Sequence, residues 1–336
     1  MTNLYENNFH QTDISEVAFL VTGGAGFIGS NIVEYLVHHG AGKIRILDNL
    51  SEGKIENIEP FLNLSQVEFV EGDISDENTC REVCKGIDYI SHQAALGSVP
   101  RSIATPLITN NANVTGFLNM LTAAKDEGIK RFVYASSSSV FGDHPTLPKV
   151  ESEIGSPLSP YAVSKYVNEL YAQVFAANYG FETIGFRYFN VFGPRQKPDG
   201  PYAAVIPLFM DAILKGESPK INGDGEQSRD FTFVVNAVEA NIRGLFSQID
   251  GATGKVYNIA FGQRRTVNQL FQVLEDLSGS DIEAIFREPR PGDVRHSLAD
   301  ISQASEFLGY KPLYDIDSGL KITFEWFKNA FYPALT

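Results

Sequence analysis

The chain has 336 residues, more than one ordinary hydrophobic core holds, so we expect two lobes. Its formal net charge of −14 at pH 7 argues against nucleic acid as a partner, because contact with a phosphate backbone needs clustered positive charge. Two cysteines are too few for a structural zinc site, and we predict no bound metal. The sequence shows neither a signal-peptide pattern nor an apolar run of about 18 residues, so we expect a cytoplasmic protein without a membrane partner.

A glycine-rich turn stands near the beginning of the chain. The segment FLVTGGAGFIGS, residues 19–30, combines an apolar run, the turn and the start of a helical pattern. Gly24, Gly26 and Gly29 fit the G-x-G-x-x-G spacing, and Gly23 with the last two fits G-x-x-G-x-x-G equally well. A strand, turn and helix of this kind direct free N–H groups and the positive end of a helix dipole at a pyrophosphate. The segment therefore predicts dinucleotide binding.

Asp48 indicates which dinucleotide binds. It ends the next apolar strand, KIRILD, at about the 20-residue distance where an acidic residue hydrogen-bonds the ribose diol of NAD. A carboxylate there would repel the 2′-phosphate of NADP. NAD is therefore the predicted cofactor, and a glycine-rich turn without a ligand is the alternative.

The first half of the chain alternates apolar strands with helical patterns. This alternation is typical of a parallel sheet covered by helices on both faces. We predict an α/β fold of the doubly wound Rossmann type, with ligands at the carboxyl ends of the strands. The predicted strands cover residues 18–22, 44–47, 67–71, 89–92, 131–135 and 182–187.

The second half changes to Pro- and Gly-rich loops and shorter helices. We predict an N-terminal arm over 1–16, an NAD-binding domain over 17–190 and a smaller mixed α/β substrate-binding domain over 191–336. The helix and strand within 231–262 are expected to return to the first domain. Segment 219–230 is predicted to be rich in turns.

Small or polar residues follow three of the predicted strands, at the edge where ligands bind. Asp73 and Ile74 come after the third strand, where an adenine amino group would be read, although an aspartate there could simply cap a helix. The HQAA motif, residues 92–95, follows the fourth strand, and its two alanines leave backbone exposed to a ligand. Its histidine is interpreted as a core residue outside the site. The serines of ASSSSVFG, residues 135–142, follow the fifth strand and either hydrogen-bond a reacting sugar oxygen or form a polar turn.

Tyr161 and Lys165 form the strongest catalytic pattern. Their i, i+4 spacing places both polar heads on the same side of one helix. The lysine ammonium, with a positively charged nicotinamide, is expected to lower the pKa of Tyr161 and make it a general base. A solvated helix face is the alternative for the pair alone. The glycine turn and the serines upstream favour catalysis.

These motifs together carry a family resemblance. TGGAGFIGS, the Asp-Ile pair, the serine strand end and YAVSK resemble the extended short-chain dehydrogenase/reductase superfamily. In the second half, RYFNVFGPRQ, GPYAAVIPLF, INGDGEQSRDFTFV and REPRPGDVRHSLAD are similar to segments of nucleotide-sugar 4-epimerases. Among these, the chain most resembles the UDP-N-acetylglucosamine 4-epimerases of bacterial polysaccharide biosynthesis. The resemblance covers almost the whole chain, about residues 17–327.

The resemblance implies a role for each matching residue. Ser137, with Ser138 as the second candidate, would hold the reacting oxygen, Tyr161 would act as the general base and Lys165 as its partner. The predicted catalytic set is Ser137, Ser138, Tyr161 and Lys165. The predicted cofactor-binding set is Gly23, Gly26, Phe27, Ile28, Gly29, Asp48, Asn49, Asp73, Ile74, Gln93, Ala94, Ala95, Tyr161 and Lys165.

The implied substrate is a UDP-sugar. Asn190 would orient its diphosphate, Arg229 and Arg290 would neutralise that diphosphate, and segment 204–207 would cover the uracil and ribose. The predicted substrate-binding set is Ser98, Ser137, Ser138, Tyr161, Asn190, Ala204, Val205, Pro207, Asn222, Arg229, Arg290, Asp293 and Ser297.

Two positions bear on the sugar. Ser138-Ser139 stands where sugar dehydratases carry an Asp-Glu pair, so water elimination would lack its acid. Ser297 matches a gate position that holds a bulky tyrosine in epimerases restricted to UDP-glucose and UDP-galactose, and a small side chain there would leave room for a 2-acetamido group. The expected reaction is reversible C4 epimerisation of UDP-N-acetylglucosamine to UDP-N-acetylgalactosamine through a transient 4-keto sugar. Because this reaction is redox-neutral, we expect the NAD to stay bound and to copurify.

Several alternatives stay open. Arg295 and His296, beside the gate, could meet the C6 carboxylate of a UDP-2-acetamido uronic acid, and UDP-glucose or UDP-galactose could be the substrate. A catalytically silent NAD-binding sensor is a further alternative, which the intact Ser, Tyr and Lys set argues against. The resemblance also implies a homodimer formed through the helix that carries Tyr161 and its neighbour.

Overall fold

The computed structural model describes residues 4–198, 204–289 and 295–335. The strands in these ranges are β1 Ala18–Thr22, β2 Lys43–Asp48, β3 Val67–Glu71, β4 Tyr89–His92, β5 Arg131–Ser137, β6 Thr183–Tyr188, β7 Val191–Phe192, β8 Lys220–Asn222, β9 Ser228–Asp230, β10 Thr232–Phe233, β11 Lys255–Ile259, β12 Arg264–Thr266 and β13 Ile285–Arg287. The α-helices are α1 Phe27–His38, α2 Glu77–Cys84, α3 Val99–Ala104, α4 Pro106–Asn110, α5 Gly116–Asp126, α6 Pro160–Tyr179, α7 Val205–Lys215, α8 Val234–Phe246, α9 Val267–Ser278, α10 Ser302–Leu308 and α11 Ile316–Phe331.

A seven-stranded parallel sheet forms the larger lobe. Its strand order is β11-β6-β5-β4-β1-β2-β3. Strands β1 and β6 are buried along their whole length, as expected for a sheet that helices cover on both faces. The chain builds outward from β1 through β2 to β3 and then returns to β4 on the other side of β1. This reversal opens a crevice at the carboxyl ends of β1 and β4. The predicted doubly wound fold is therefore confirmed.

Strand β11 belongs to this sheet although it comes late in the chain. It pairs in parallel with β6, from Lys255 opposite Ile184 to Ile259 opposite Tyr188. Helix α8, which precedes it, packs against α1, β4 and β5. The domain boundaries given above remain a prediction about folding units, and in this topology the large sheet draws its last strand from residues 231–262.

The N-terminal arm packs on α1. Tyr5, Phe9 and Ile14 are buried, and the Tyr5 hydroxyl donates a hydrogen bond of 2.7 Å to Asn31 Oδ1. The same asparagine donates through Nδ2 to the carbonyl oxygen of Pro194 at 3.2 Å. The polar composition of this stretch does not reveal that its few apolar residues are inserted into the core.

The smaller lobe is made of short strands and helices. Its two-stranded ladders pair β7 with β10, β8 with β13 and β9 with β12. Segment 219–230, predicted to be rich in turns, contains a turn between two short strands, β8 and β9, that the sequence did not indicate. Each has three residues and pairs only with a distant strand, so no local periodicity announces it. Across the described ranges, no helix is both long enough and apolar enough to span a membrane.

Candidate active site

The glycine turn is closed so tightly that side chains are excluded. A Cβ at Gly29 would lie 2.1 Å from the carbonyl oxygen of Gly23, and one at Gly23 would lie 2.7 Å from the backbone nitrogen of Ala94. Gly23 also has a φ of +66°. Helix α1 begins at Phe27 after Gly26, with no side chain capping its first amides. The uncapped amides of Phe27 and Ile28 and the open cradle above them fit a pyrophosphate.

Asp48 holds the turn to the end of β2. Its carboxylate accepts hydrogen bonds from the backbone N–H of Ala25 at 3.0 Å and of Leu50 at 2.9 Å. Burial raises the pKa of Asp48, and these two N–H donors lower it. Asn49 Nδ2 donates to Asp73 Oδ2 at 2.8 Å, so the ends of β2 and β3 meet. The predicted ribose and adenine residues therefore lie together, except that the Ile74 side chain is buried in the core.

Some of the residues after β4 make hydrogen bonds within the fold. Gln93 Nε2 donates to Ser91 Oγ and to Asn241 Oδ1, both at 3.0 Å, so the Gln93 amide belongs to a network beneath the crevice. The backbone of Gln93 and Ala94 lies against Gly23, and Ala95 follows it. Ser98 caps α3 by accepting a hydrogen bond of 3.2 Å from the backbone N–H of Arg101.

His92 is a core histidine, as interpreted from the sequence. Its Nδ1 lies 2.8 Å from Thr22 Oγ1, and the ring is 2% exposed. Burial, together with the charge of Lys165, lowers the pKa of His92 to about 3. It is therefore neutral near pH 7 and takes no part in the charge of the site.

Ser137, Tyr161 and Lys165 come together at the carboxyl end of β5. Ser159 caps α6 by accepting from the backbone N–H of Ala162 at 3.1 Å, which sets Tyr161 in the first turn and Lys165 one turn later. Lys165 Nζ donates to the carbonyl oxygen of Ala135 at 2.8 Å and lies 6.0 Å from the centre of the Tyr161 ring. The fifth strand and the sixth helix thus place all three heads in one group.

The two serine candidates differ in their contacts. The Ser137 hydroxyl interacts with the Tyr161 phenol and lowers its pKa, and Ser137 Oγ accepts a hydrogen bond from Ser139 Oγ at 2.9 Å. Ser138 begins the 3₁₀ turn Ser138–Phe141 that follows the strand. The hydroxyl that contacts the phenol is therefore that of Ser137.

Burial shifts the pKa values of Tyr161 and Lys165 toward their neutral forms. Burial raises the pKa of Tyr161, and the hydrogen bond with Ser137 lowers it. Burial lowers the pKa of Lys165 to about 8, and the charge of Glu169 opposes that shift. The lowering of the Tyr161 pKa expected from Lys165 together with a positively charged nicotinamide stays a prediction, since burial is the largest influence among the protein groups.

A cavity of about 240 Å³ lies beside the smaller lobe. Most of the predicted substrate-binding residues that the structure describes past β6 line it. Asn190, whose φ is +35°, lies at its wall and donates through Nδ2 to the carbonyl oxygen of Asp230 at 3.0 Å. The predicted residues that line the cavity are Asn190, Ala204, Val205, Asn222 and Arg229.

Some predictions fall elsewhere. Pro207 is buried within α7 and does not line this cavity. Arg290 and Asp293 lie outside the described residues. Sequence reasoning missed other residues of the wall, among them Gln196, Phe209, Gln227 and Phe231. Gln196 ends the motif RYFNVFGPRQ, and its Oε1 is buried with no partner in the described part of the chain.

Ser297 lies in the segment 295–300, whose backbone is hydrogen-bonded to other parts of the chain. The Ser297 backbone N–H donates to the carbonyl oxygen of Ser228 at 3.0 Å, and the Lys149 N–H donates to that of Leu298 at 2.7 Å. Ala299 N–H donates to the Asp230 carboxylate at 3.2 Å. The Ser297 hydroxyl is buried and has no hydrogen-bond partner in the ranges described.

Arg295 and His296 are already engaged. Arg295 Nη2 lies 2.9 Å from the Asp224 carboxylate, and His296 Nδ1 lies 2.8 Å from Ser228 Oγ. Desolvation lowers the pKa of His296, and nearby arginines add to this. Both side chains therefore have partners within the protein.

The chain is similar to known proteins over nearly its whole length. The sequence model of the NAD dependent epimerase/dehydratase family matches residues 19–260. The UDP-N-acetylglucosamine 4-epimerase from Methanobrevibacter ruminantium M1, solved with UDP-N-acetylmuramic acid, is 44% identical, with a TM-score of 0.88 over 93% of this chain and 98% of that one. A putative UDP-glucose 4-epimerase of Methanocaldococcus jannaschii is 40% identical over 92% of this chain and 98% of its own length.

More distant structures show the same fold. The UDP-glucuronic acid 4-epimerase from Bacillus cereus, solved with UDP-glucuronic acid and NAD, is 28% identical, with a TM-score of 0.87 over 94% of this chain and 100% of that one. The similar proteins therefore differ in the sugar that their names specify.

Proposed function

Because this chain belongs to the NAD dependent epimerase/dehydratase family, as its motifs predicted, we propose that it inverts C4 of a UDP-N-acetylhexosamine. The chain is an NAD-dependent epimerase, and the substrate is the proposed part. The grouping of Ser137, Tyr161 and Lys165 at the carboxyl end of β5 is the observation that carries this proposal. The reaction interconverts UDP-N-acetylglucosamine and UDP-N-acetylgalactosamine through a 4-keto sugar.

Tyr161 and Ser137 handle the proton at O4. The Tyr161 phenolate removes it in one half of the cycle and returns it in the other, while Ser137 Oγ holds O4 and relays the proton. When bound, NAD supplies the hydride acceptor and donor and, in its oxidised form, a positive charge that favours the phenolate. Lys165 adds the second positive charge, offsetting the burial that raises the pKa of Tyr161.

In the proposed reaction the nucleotide is held in place, whereas the sugar is free to rotate. Asn190 and Arg229 hold the diphosphate, with Arg290 as the second predicted cation. The 4-keto sugar then turns about its phosphate linkage and presents its other face. Tight binding of one end is what lets the other end rotate without leaving the site.

Ser297 supports the N-acetylated substrate. Replacing a phenol ring by a hydroxymethyl group frees a volume similar to that of an acetamido group. Its buried hydroxyl, unpartnered among the described residues, offers a hydrogen bond to that group's amide. Ser138-Ser139 provides no carboxylate, which argues against water elimination.

The alternatives have weaker support. A uronic acid would need Arg295 or His296, and Asp224 and Ser228 already engage these. UDP-glucose or UDP-galactose would fit a wide gate but leave the Ser297 hydroxyl without its proposed partner. A silent NAD sensor would not need the contact of Ser137 with Tyr161.

A panel of four sugar nucleotides tests the proposal. The protein is incubated with UDP-N-acetylglucosamine, UDP-N-acetylgalactosamine, UDP-glucose and UDP-N-acetylgalactosaminuronate, and products are read by NMR. We expect the two N-acetylated neutral sugars to interconvert fastest, with NAD retained by the protein. Fastest conversion of the uronate or of UDP-glucose would replace the proposed substrate, and no conversion of any would favour the sensor.

We also propose a homodimer. Helices α4 and α6 lie side by side, and both expose apolar side chains, among them Leu107 at 83% and Val174 at 50%. A monomeric soluble protein rarely leaves such neighbouring residues uncovered. Sedimentation of the intact chain checks this, and a monomer would contradict it.

A further inference from the structure

A fully buried ion pair lies one helical turn beyond Lys165. Glu169 on α6 is 1% exposed and Arg187 on β6 is 3% exposed. Arg187 Nη2 donates to Glu169 Oε2 at 2.8 Å, and its Nε donates to Glu169 Oε1 at 2.9 Å. Such a pair is costly to desolvate and is strongly destabilising when only one partner remains. Its position beside the reacting groups therefore calls for an explanation.

The pair joins the two elements that carry the chemistry, β5 and α6, to the neighbouring strand β6. Ser136 Oγ donates to Glu169 Oε1 at 2.5 Å, and Ser136 precedes Ser137 on β5. Ser136 is also the register partner of Arg187 across β5 and β6. Glu169 thus fixes α6 to both strands at the level where Ser137 must meet Tyr161.

The pair also balances charge. Lys165 and Arg187 are two buried cations, and Glu169 is one helical turn from Lys165 and hydrogen-bonded to Arg187. The attraction of Glu169 opposes the burial that lowers the pKa of Lys165. Titratable groups near Lys165 in the described part of the chain include the Tyr161 phenol and His92, which is neutral near pH 7.

We propose that Glu169, held by Arg187, is a positioning residue that keeps α6 in register with β5 and keeps Lys165 in its charged form. This rests on the proposed function, in which Lys165 supports the Tyr161 phenolate. Neither residue touches the substrate. They act through Lys165 and through the Ser136–Ser137 strand end.

Two single variants test the proposed charge balance, because they should move the alkaline limb of the kcat–pH profile in opposite directions. Glu169→Gln leaves Arg187 unbalanced, so Lys165 should lose its proton more easily, and the alkaline limb of the kcat–pH profile should move to lower pH by about one unit. Arg187→Met leaves the carboxylate unbalanced and should move that limb to higher pH by a similar amount. The KM for the UDP-sugar should change little, because the nucleotide is held elsewhere.

A double variant and a matched control separate charge from packing. Glu169→Gln with Arg187→Met is neutral and should return the limb close to its wild-type position. Glu182→Gln breaks the Arg131–Glu182 pair of 2.6 Å at the opposite end of the same two strands. It should lower the thermal midpoint without moving the limb.

A second readout does not depend on turnover. The absorbance of tyrosinate, measured against the Tyr161→Phe variant, should appear at higher pH in Glu169→Gln than in the wild type. The proposal would be overturned if the alkaline limb of the kcat–pH profile stayed in place in both single variants, or moved in the same direction in both. An unchanged tyrosinate titration would also overturn it. If the wild type converts no UDP-sugar, the proposed function fails and the tyrosinate titration alone decides this inference.

Discussion

The two ends of the site are built differently. The chemistry end comprises Ser137, Tyr161 and Lys165. The nucleotide end comprises Asn190, Gln196, Arg229 and Ser297. The first stands on one long strand and one long helix of the large sheet, whereas the second stands on loops and short strands drawn from distant parts of the chain.

Their polar atoms differ accordingly. At the chemistry end, Lys165 Nζ and Ser137 Oγ both have partners within the protein. At the nucleotide end, Gln196 Oε1 and Ser297 Oγ are buried without partners in the part of the chain described. Buried polar groups are rarely left unsatisfied. In the proposed site, we therefore expect the chemistry end to be assembled before substrate arrives and the nucleotide end to be completed by the substrate.

The largest effect should come from the chemistry end. Tyr161→Phe removes the phenol that accepts the O4 proton, and we expect kcat to fall roughly 10²–10⁴-fold with substrate binding nearly unchanged. Calorimetric binding of the UDP-sugar and initial rates measure the two. Tyr171→Phe is the matched control, because Tyr171 packs against the core from the same helix. Retention of more than about a tenth of the activity would exclude the proposed base.

The nucleotide end should control which sugar is accepted. Ser297→Tyr fills the space proposed for the acetamido group, so we expect kcat/KM for UDP-N-acetylglucosamine relative to UDP-glucose to fall roughly 10–100-fold. Ser302→Tyr adds the same ring at an exposed position nearby and should leave the ratio unchanged. Equal loss on both sugars would remove the gate from the proposal.

The smallest effect should come from changing the hydrogen bonds that support the nucleotide end. The Asp230 carboxylate accepts backbone hydrogen bonds from Phe261, Gly262 and Ala299, joining the strand of Arg229 to the segment of Ser297. Asp230→Asn turns an amide toward these donors, and we expect KM to rise roughly fivefold, for about 1 kcal/mol of lost hydrogen bonding, with kcat unchanged.

Glu239→Gln is the control for this change. Glu239 is a buried carboxylate that also accepts from a backbone N–H, that of Lys311 at 3.1 Å. It should lower stability without raising KM. A lower thermal midpoint with unchanged KM in Asp230→Asn would make Asp230 a stabilising residue only.

The chemistry end could be predicted from local patterns. Tyr161 and Lys165 are one turn apart on a helix, and Ser137 ends a strand whose apolar run is visible in the sequence. The geometry of such elements is regular, so spacing translates into position. The glycine turn could also be predicted from the sequence, because its conformation excludes side chains and therefore requires glycines.

The rest depended on contacts between distant segments. No spacing connects Ser297 with Ser228 or Glu169 with Arg187, and only the resemblance pointed to Ser297. The burial that raises the pKa of Tyr161 could not be predicted either, because an i, i+4 spacing does not show how deeply a side chain is buried.

The position of strand β11 in the sequence has a consequence for the synthesis of the protein and for its engineering. The ribosome must complete the chain through Ile259 before the large sheet can acquire its last strand beside β6. The cofactor lobe and the nucleotide end therefore mature together during synthesis rather than one after the other. For the same reason the lobes are not exchangeable modules: a chimera that alters sugar preference should replace the segment 295–300 and leave both halves in place.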